Sequence, residues 1–398
     1  MAYAVSEDEL PRRLSFLDSL SIVVGIVIGG GIFVVPNLVA RNLPSEGLIL
    51  SAWIFAGVVS FFGALACAEL GAAIPSTGGQ YVFLRESYGP FAGFLYGWTM
   101  FVVARTAQVS WLAVTFSLYV SYFVPLTPVV AKLLALTALA LFTTINYRGA
   151  EAGALVQKSF TFAKLAGLLV IIGAAFLAKP HDATPPPAVA AFPFSQFGIA
   201  MIACLLGYDG WVQVSFVAGE IKRPQRNILL ALSSGLAICS GVYLLTNVAY
   251  LRVLSIPEIA ASEHVGATAA ERTMGPVGGS LVSLIILISV IGTLNGCFLT
   301  SPRIYFAQAR DGLFFRKFGE VHPRFRTPAF SIVAQGVWAA VLILSGSYES
   351  LAEYAMFAMW LFYGLMVAGV ILLRRKQPDL PRSTGCGVTP SQRCCFWR

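Results

Sequence analysis

Three consecutive glycines, Gly29, Gly30 and Gly31, lie near the middle of an apolar run from about Leu17 to Ala40. The run is long enough to cross a bilayer, which takes about 20 residues, yet each glycine weakens a helix by about 1 kcal/mol relative to alanine. Loosened backbone inside a membrane survives only where protein or water satisfies its polar groups. We therefore expect a broken helix whose free N–H groups bind a small anionic group. Close helix packing by small residues is the alternative.

A second apolar run carries a similar interruption. Residues 203–211 read Ala-Cys-Leu-Leu-Gly-Tyr-Asp-Gly-Trp, so that Gly207, Asp209 and Gly210 interrupt the run near its middle. Glycine-interrupted segments at corresponding positions of two halves are typical of a transporter site formed by discontinuous helices. Asp209 either attracts a substrate ammonium group or caps the end of a half-helix. The two matched breaks favour a substrate site over packing alone.

Two basic residues lie inside apolar spans, where a charge costs about 2.5–3.5 kcal/mol on insertion scales. Lys164 is expected to donate hydrogen bonds to the loosened carbonyl groups of the first broken helix; the alternative is a structural tether without a role in transport. Arg105 either lines the cavity or forms a structural ion pair with a carboxylate such as Asp209.

Further candidates lie at the edges of the expected cavity. Glu69, near the inner end of the second span, and Glu220, after the sixth, either carry a coupled proton or make gate contacts with cytoplasmic arginines. The sequence favours the gate contacts. Trp360 and Tyr354 on the tenth span either close over a substrate or only pack against neighbouring helices.

The composition is that of a polytopic membrane protein. Of 398 residues, 57% are hydrophobic and only 12% are charged, whereas soluble domains carry about 25% charged residues. The net charge of +8 does not indicate nucleic acid binding, because the basic residues cluster in loops on one side of the expected membrane. The sequence shows neither a metal-ligand spacing nor a nucleophile–base pair, so we expect no enzyme, no cofactor and no metal site.

Apolar windows predict ten spans, and their number and charge pattern predict the topology. The spans lie near 18–40, 47–72, 90–123, 128–145, 156–178, 195–217, 227–251, 276–305, 328–345 and 351–373. Sixteen basic residues fall in the segments on the N-terminal side and five on the other side, so the N-terminus is expected in the cytoplasm. Five spans per half invert the second half, as an inverted repeat requires. The expected parts are a cytoplasmic N-terminus 1–17, a first five-helix repeat 18–178, an extracellular loop 179–194, a second five-helix repeat 195–373 and a cytoplasmic tail 374–398.

Several motifs together resemble the amino acid–polyamine–organocation superfamily, and two of them resemble its L-type amino acid transporter branch. The matching segments are 29–33, 69–81, 146–164, 321–328 and, for the L-type branch, 208–211 with 219–227. The resemblance covers residues 15–380. It implies an all-α LeuT-like fold with five-plus-five inverted repeats and broken first and sixth transmembrane helices. It also implies transport of an L-amino acid by alternating access across a plasma membrane.

The resemblance implies roles for individual residues. The backbone of Gly29, Gly30 and Gly31 would hold the substrate carboxylate, and carbonyl groups at the two breaks would hold its ammonium group, in agreement with the helix dipole. With Trp360 added from its place on the tenth span, the expected substrate-binding residues are Val27, Ile28, Gly29, Gly30, Gly31, Leu206, Gly207, Asp209 and Trp360. Lys164 matches the lysine that stands where sodium-coupled relatives bind an ion, which argues against sodium dependence and for exchange or proton coupling; sodium-independent exchange is the function we expect. The alternatives are a proton-coupled amino acid or polyamine symporter, and a non-transporting sensor or degenerate gene product.

Departures from the family pattern limit which substrates and partners we expect. Gly30 replaces a frequent serine, Arg105 replaces a neutral polar residue of bacterial relatives, and Leu206 replaces an aromatic gate residue of animal relatives. Large-neutral selectivity therefore does not carry over, and small or branched neutral amino acids are the expected substrates. The outer loop 122–130 has no cysteine, so we expect no disulfide-linked heavy subunit. These features indicate a bacterial inner-membrane protein whose partners are its substrate and membrane lipid.

The end of the chain differs from what precedes it. Family members usually have twelve helices, whereas this chain has ten apolar spans, and Cys386, Cys394 and Cys395 lie in a polar segment. From Ser383 onward a shifted reading frame permits Tyr-Arg-Val-Trp-Gly-Tyr-Pro-Val, which resembles the usual continuation into an eleventh helix. We therefore expect a frameshift in the gene or its sequencing that leaves the ten-helix core intact.

Overall fold

The first apolar run forms two helices whose axes are bent by 42°. The computed structural model describes residues 10–181, 194–346 and 348–380, without the side chains of 348–357. Ser15 and Asp18 start the first helix with a reciprocal capping box, which satisfies N–H groups that a helix start leaves free. The glycine triplet ends the regular hydrogen bonding after Val27, and a new helix begins at Gly31.

The described residues contain sixteen α-helices, numbered here in chain order. They are α1 Phe16–Val27, α2 Gly31–Asn42, α3 Glu46–Ala73, α4 Gln80–Tyr88, α5 Pro90–Thr99, α6 Arg105–Ser121, α7 Pro128–Tyr147, α8 Ala150–Leu177, α9 Phe194–Gly207, α10 Pro224–Val253, α11 Ile256–Ala261, α12 Val265–Met274, α13 Pro276–Thr300, α14 Pro302–Arg310, α15 Ala329–Ser345 and α16 Tyr348–Lys376. A π-helical segment Met100–Ala104 joins α5 to α6, and Trp211–Glu220 and Arg316–Gly319 are 3₁₀ helices.

A helix occupies each of the ten predicted span positions. By length and apolar composition, eight helical segments of the described chain can cross a membrane, and the bent pair α1–α2 forms a ninth. The shorter apolar helix α15 lies at the position predicted for the ninth span. Short helices α4, α11 and α12 were not predicted, because runs of six to ten residues are too short to produce an apolar window.

The sixth span is broken as the first one is. Helix α9 ends at Gly207, and the 3₁₀ segment begins at Trp211. Between them Gly210 has φ +115°, a left-handed conformation that costs little only for glycine. A Cβ atom at Gly210 would also lie 2.6 Å from Cγ2 of Ile26. The sequence of this turn therefore fixes where the second break occurs.

Some predicted features lie outside the described residues. These are most of the cytoplasmic N-terminus, most of the loop 179–194, the side chain of Tyr354 and the frameshifted part of the tail.

Replacing Gly210 with alanine should destabilise the protein by about 1–3 kcal/mol, because alanine is strained at this φ and would contact Ile26. The measurement is the thermal unfolding midpoint of the purified chain in detergent. Gly198→Ala in the same span is the matched control: its Cβ would meet no atom within 4 Å, so its midpoint should stay level or rise. Equal midpoints for the two variants would contradict the assignment of the break to Gly210.

Candidate functional site

The two broken helices cross at their breaks. A Cβ atom added to Gly31, at the start of α2, would lie 3.4 Å from Cα of Gly207, at the end of α9. Such an approach of two backbones is possible because neither glycine carries a side chain. The two interruptions predicted from the sequence are therefore neighbours inside the protein.

Unpaired N–H groups mark the start of α2. The backbone N–H groups of Gly30, Gly31 and Ile32 donate no hydrogen bond within the described residues, whereas Phe33 N donates to the carbonyl oxygen of Gly30 over 3.1 Å. The three glycines of the break are partly exposed. These donors and the positive end of the helix dipole can bind a carboxylate.

Carbonyl groups mark the other side of the breaks, and Tyr243 of α10 connects them. Its hydroxyl group is 2.7 Å from the carbonyl oxygen of Val27 and 2.8 Å from that of Gly207. A phenol has one proton, so Tyr243 shares that proton between the two breaks. Sequence reasoning missed this residue, although a tyrosine in the middle of an apolar span needs a partner for its hydroxyl group.

These hydrogen bonds change which carbonyl groups are free. The Val27 carbonyl accepts from Gly29 N over 2.8 Å as well as from the shared hydroxyl of Tyr243, so it is the most fully paired carbonyl of the first break, and the contact of carbonyls near Val27 with the ammonium group stays a prediction. The adjacent Ile26 carbonyl accepts no hydrogen bond within the described chain. The Leu206 carbonyl accepts from Asp209 N over 3.2 Å and, like the Gly207 carbonyl, keeps one lone pair.

Lys164 of α8 is fully buried beside the first break. Its Nζ atom donates to the carbonyl oxygens of Gly25, Ile28 and Ser289 over 2.7, 2.9 and 3.1 Å. Two of these acceptors belong to the first broken helix, which is the arrangement expected from the sequence. The ammonium group thus satisfies carbonyl groups that the broken helix cannot pair itself, and it adds a positive charge at the negative end of α1.

Arg105 is buried at the first residue of α6. Its Nη1 atom donates to Gln108 Oε1 over 2.9 Å, and its guanidinium carbon lies 5.6 Å from the ring centre of Phe216. Its Nε and Nη2 atoms have no partner in the described chain.

The suggested ion pair between Arg105 and Asp209 is wrong. No carboxylate of the described residues lies within ion-pair distance of Arg105, and Asp209 Oδ1 instead accepts from the hydroxyl of Tyr363 over 2.6 Å. The sequence did not reveal Tyr363, which contacts Asp209 from the distant span α16. The two unpartnered donor atoms of Arg105 therefore stay buried without a carboxylate of the described residues to neutralise their charge.

Glu69 and Glu220 each bind an arginine with both carboxylate oxygens. Glu69 is paired with Arg374 of α16 over 2.8 and 2.6 Å, and Glu220 with the buried Arg303 of α14 over 2.7 and 3.0 Å. Such bidentate pairs fix geometry as well as charge. Both glutamates thus have arginine partners, and their role as gate contacts stays a prediction.

The segment preceding α1 is hydrogen-bonded to the chain around Glu220. Leu14 N donates to the carbonyl oxygen of Glu220 over 2.9 Å, and Lys222 N donates to that of Leu14 over 2.8 Å. These two bonds form the isolated parallel bridge between Leu14 and Ile221. The ends of both broken spans are thereby tied to each other on the side of the N-terminus.

Trp360 joins the site through a neighbouring aromatic ring. Its ring centre lies 5.7 Å from that of Tyr363, which in turn lies 5.4 Å from that of Trp211. Trp360 is partly buried and contacts the residue that holds Asp209. Among the described residues no group of three His, Cys, Asp or Glu side chains is placed to bind a metal ion.

Tyr243→Phe should weaken substrate binding about tenfold, because it leaves the Val27 and Gly207 carbonyls without their shared donor, a loss of about 1–3 kcal/mol. The measurement is competition for a labelled amino acid. Tyr250→Phe is the matched control on the same helix, since the buried Tyr250 hydroxyl has no partner in the described chain. Equal binding by the two variants would show that the hydroxyl of Tyr243 does not shape the site.

The sequence of this chain is similar to sequences of known transport proteins. The chain matches the sequence profile of the amino acid permease family over residues 14–393. It is 33% identical over 384 residues to the human b(0,+)-type amino acid transporter 1, covering 94% of this chain and 78% of that protein. It is also 33% identical over 388 residues to the serine/threonine exchanger SteT of Bacillus subtilis, covering 96% and 88%. The human cystine/glutamate transporter is 31% identical over 382 residues, covering 94% and 76%.

A solved structure shares the fold. A substrate-bound, outward-open Na⁺-coupled sialic acid symporter matches with a TM-score of 0.64 at 11% identity, covering 94% of this chain and 82% of the symporter chain. The fold is thus the LeuT-like one, with five-plus-five inverted repeats and broken first and sixth transmembrane helices. On the profile match and the identities to its relatives, the chain belongs to the amino acid permease family.

Proposed function

We propose that this protein moves L-amino acids across the membrane by alternating access, as a sodium-independent exchanger. The observation that carries the proposal is the crossing of the two breaks. Free N–H groups of Gly30, Gly31 and Ile32 lie on one side, and the carbonyl groups of Ile26 and Gly207 lie on the other. An amino acid presents one carboxylate and one ammonium group, and this pair of charges fits that arrangement of donors and acceptors.

The names of the relatives support the same reaction. One relative is named a serine/threonine exchanger, another a b(0,+)-type amino acid transporter and a third a cystine/glutamate transporter. Within this class we propose small or branched neutral amino acids as substrates.

The substrate would lie between the two breaks. Gly29 and Ile28 would contact it from the first break, Leu206 and Asp209 from the second, and Trp360 from α16.

Lys164 supports sodium independence. A buried ammonium group hydrogen-bonded to the Gly25, Ile28 and Ser289 carbonyls uses oxygen atoms of the kind that a sodium ion would need. In its protonated form it also brings a positive charge to the first break. A second cation in the same place would therefore be repelled and would lack ligands.

The topology belongs to the same proposal. The N-terminal residues 1–17 and the tail 374–398 would lie in the cytoplasm of a bacterium, with the inner membrane crossed by repeats 18–178 and 195–373 and the loop 179–194 outside. The bias of basic residues supports this orientation. The chain would work without a disulfide-linked partner, in contact with membrane lipid only.

Two other functions make different predictions. A proton-coupled symporter of the same fold would need a carboxylate that gains and loses a proton, and Glu69 and Glu220 are instead held by arginines. A non-transporting sensor would bind the amino acid and be stabilised by it without any flux.

Proteoliposomes containing the full chain distinguish these functions. Uptake of labelled serine should require unlabelled amino acid inside the vesicles and should persist when choline replaces sodium. An imposed pH gradient should not replace the internal amino acid. Uptake into empty vesicles driven by that gradient would indicate a symporter, and stabilisation by serine without uptake would indicate a sensor.

Arg105→Gln should change selectivity more than stability. Two guanidinium nitrogen atoms of Arg105 are buried without a partner in the described chain, and a hydrogen bond to a charged group is worth about 1.5–3 kcal/mol. Affinity for substrates with an acceptor in the side chain, such as serine, should fall about 10–100-fold, whereas affinity for alanine should change little. A parallel loss for serine and alanine would assign Arg105 a structural role.

A further inference from the structure

The loop between α14 and α15 carries aromatic residues that pack on one another. Phe314 lies 5.9 Å from Trp98 of α5, 5.6 Å from Phe101 and 4.7 Å from Phe318, measured between ring centres. Phe318 in turn lies 4.9 Å from Phe330 in the first turn of α15. We call these rings and Phe315 the loop aromatic cluster. It fixes the loop against the beginning of α15 and the adjoining part of α5.

The outer side of the loop aromatic cluster faces away from the protein. Phe315 is 66% exposed, and Trp98 and Phe330 are also exposed. Phe91 on α5 and Val337 on α15 continue this apolar surface along the two helices. A phenylalanine in a connecting loop that stays exposed beside membrane-spanning helices is placed to contact lipid at the edge of the bilayer.

Basic residues adjoin this apolar surface. Arg316 and Lys317 follow Phe315 directly and are exposed, as is Arg310 at the end of α14. None of these three makes an ion pair with a described residue. Arg310 lies beside the last residue of the 3₁₀ helix that Arg316 and Lys317 begin, because its Cδ atom would be 3.3 Å from a Cβ atom on Gly319.

The acidic groups nearby do not cancel this charge. Asp311 accepts a hydrogen bond from Tyr81 over 2.8 Å and is paired with Arg85, so its charge is directed toward α4. Glu320 is the other carboxylate of the loop and is exposed. Against these, the segment from Arg310 to Lys317 contributes three cations.

We propose that this surface is a binding site for an anionic phospholipid. The phosphate group would lie on Arg316 and Lys317, and an acyl chain would run over Phe315 and Trp98. Charge and apolar area together favour this ligand. A free anion would leave the exposed rings without a contact, and a lipid without net charge would gain little from the basic residues. The proposal goes beyond the transport function and does not depend on it.

Binding of dioctanoyl phosphatidylglycerol to the full chain in maltoside micelles tests the proposal, with affinity read from the rise of the thermal unfolding midpoint with lipid concentration. Arg316→Gln combined with Lys317→Gln should weaken binding about 30-fold, because each basic residue near an anionic lipid contributes about 5-fold. Phe315→Ser should weaken binding with all the cations in place. Dioctanoyl phosphatidylcholine should bind the wild-type chain far more weakly.

Lys222→Gln combined with Arg226→Gln is the matched control, because it removes the same charge from another loop expected on the same side of the membrane. It should leave lipid affinity unchanged. Equal losses in the two double variants, or wild-type affinity in the first one, would overturn the proposal. Displacement of the lipid by inorganic phosphate at similar concentration would also overturn it, in favour of a simple anion site. Phe315→Ser keeps the test valid if the first double variant does not fold.

Discussion

Every peptide group in a membrane interior needs a hydrogen-bond partner, and two interrupted helices leave several groups without one. In this protein the interruptions coincide in space, since Gly31 and Gly207 bring the two backbones together. Side chains supply some of the missing hydrogen-bond partners. Lys164 satisfies two carbonyls of the first break, and Tyr243 spans one carbonyl of each break. The peptide groups that remain unpaired are N–H donors at the start of α2 and carbonyl acceptors at the ends of α1 and α9.

The remaining structure holds this arrangement in place. The ion pair of Glu220 with Arg303 and the backbone bridge between Leu14 and Ile221 tie the ends of both broken spans together. Tyr363 reaches from the last described helix to Asp209. The open peptide groups thus lie between elements that are joined at one end of the protein, which is what a site closed on one side requires. Opening that end would mean separating these contacts.

The sequence predicted the spans well because apolar length is a local property. The breaks were also predictable, since glycine clusters inside such runs have a direct physical cost. Partners across the fold were not predictable: Tyr243 and Tyr363 are ordinary tyrosines in their spans, and only the packing shows what they contact. The Arg105–Asp209 ion pair was wrong for the same reason, because only the packing shows that Asp209 meets Tyr363 and that Arg105 meets Gln108.

The central claim is that the two breaks bind both charged ends of one amino acid. Competition by alanine analogues against labelled serine tests it most directly. L-Alanine should compete, whereas alaninol, which lacks the carboxylate, and propionate, which lacks the ammonium group, should each be about 10–100-fold weaker, since each loses hydrogen bonds to a charged group. Competition by alaninol or propionate as strong as that of L-alanine would contradict the account.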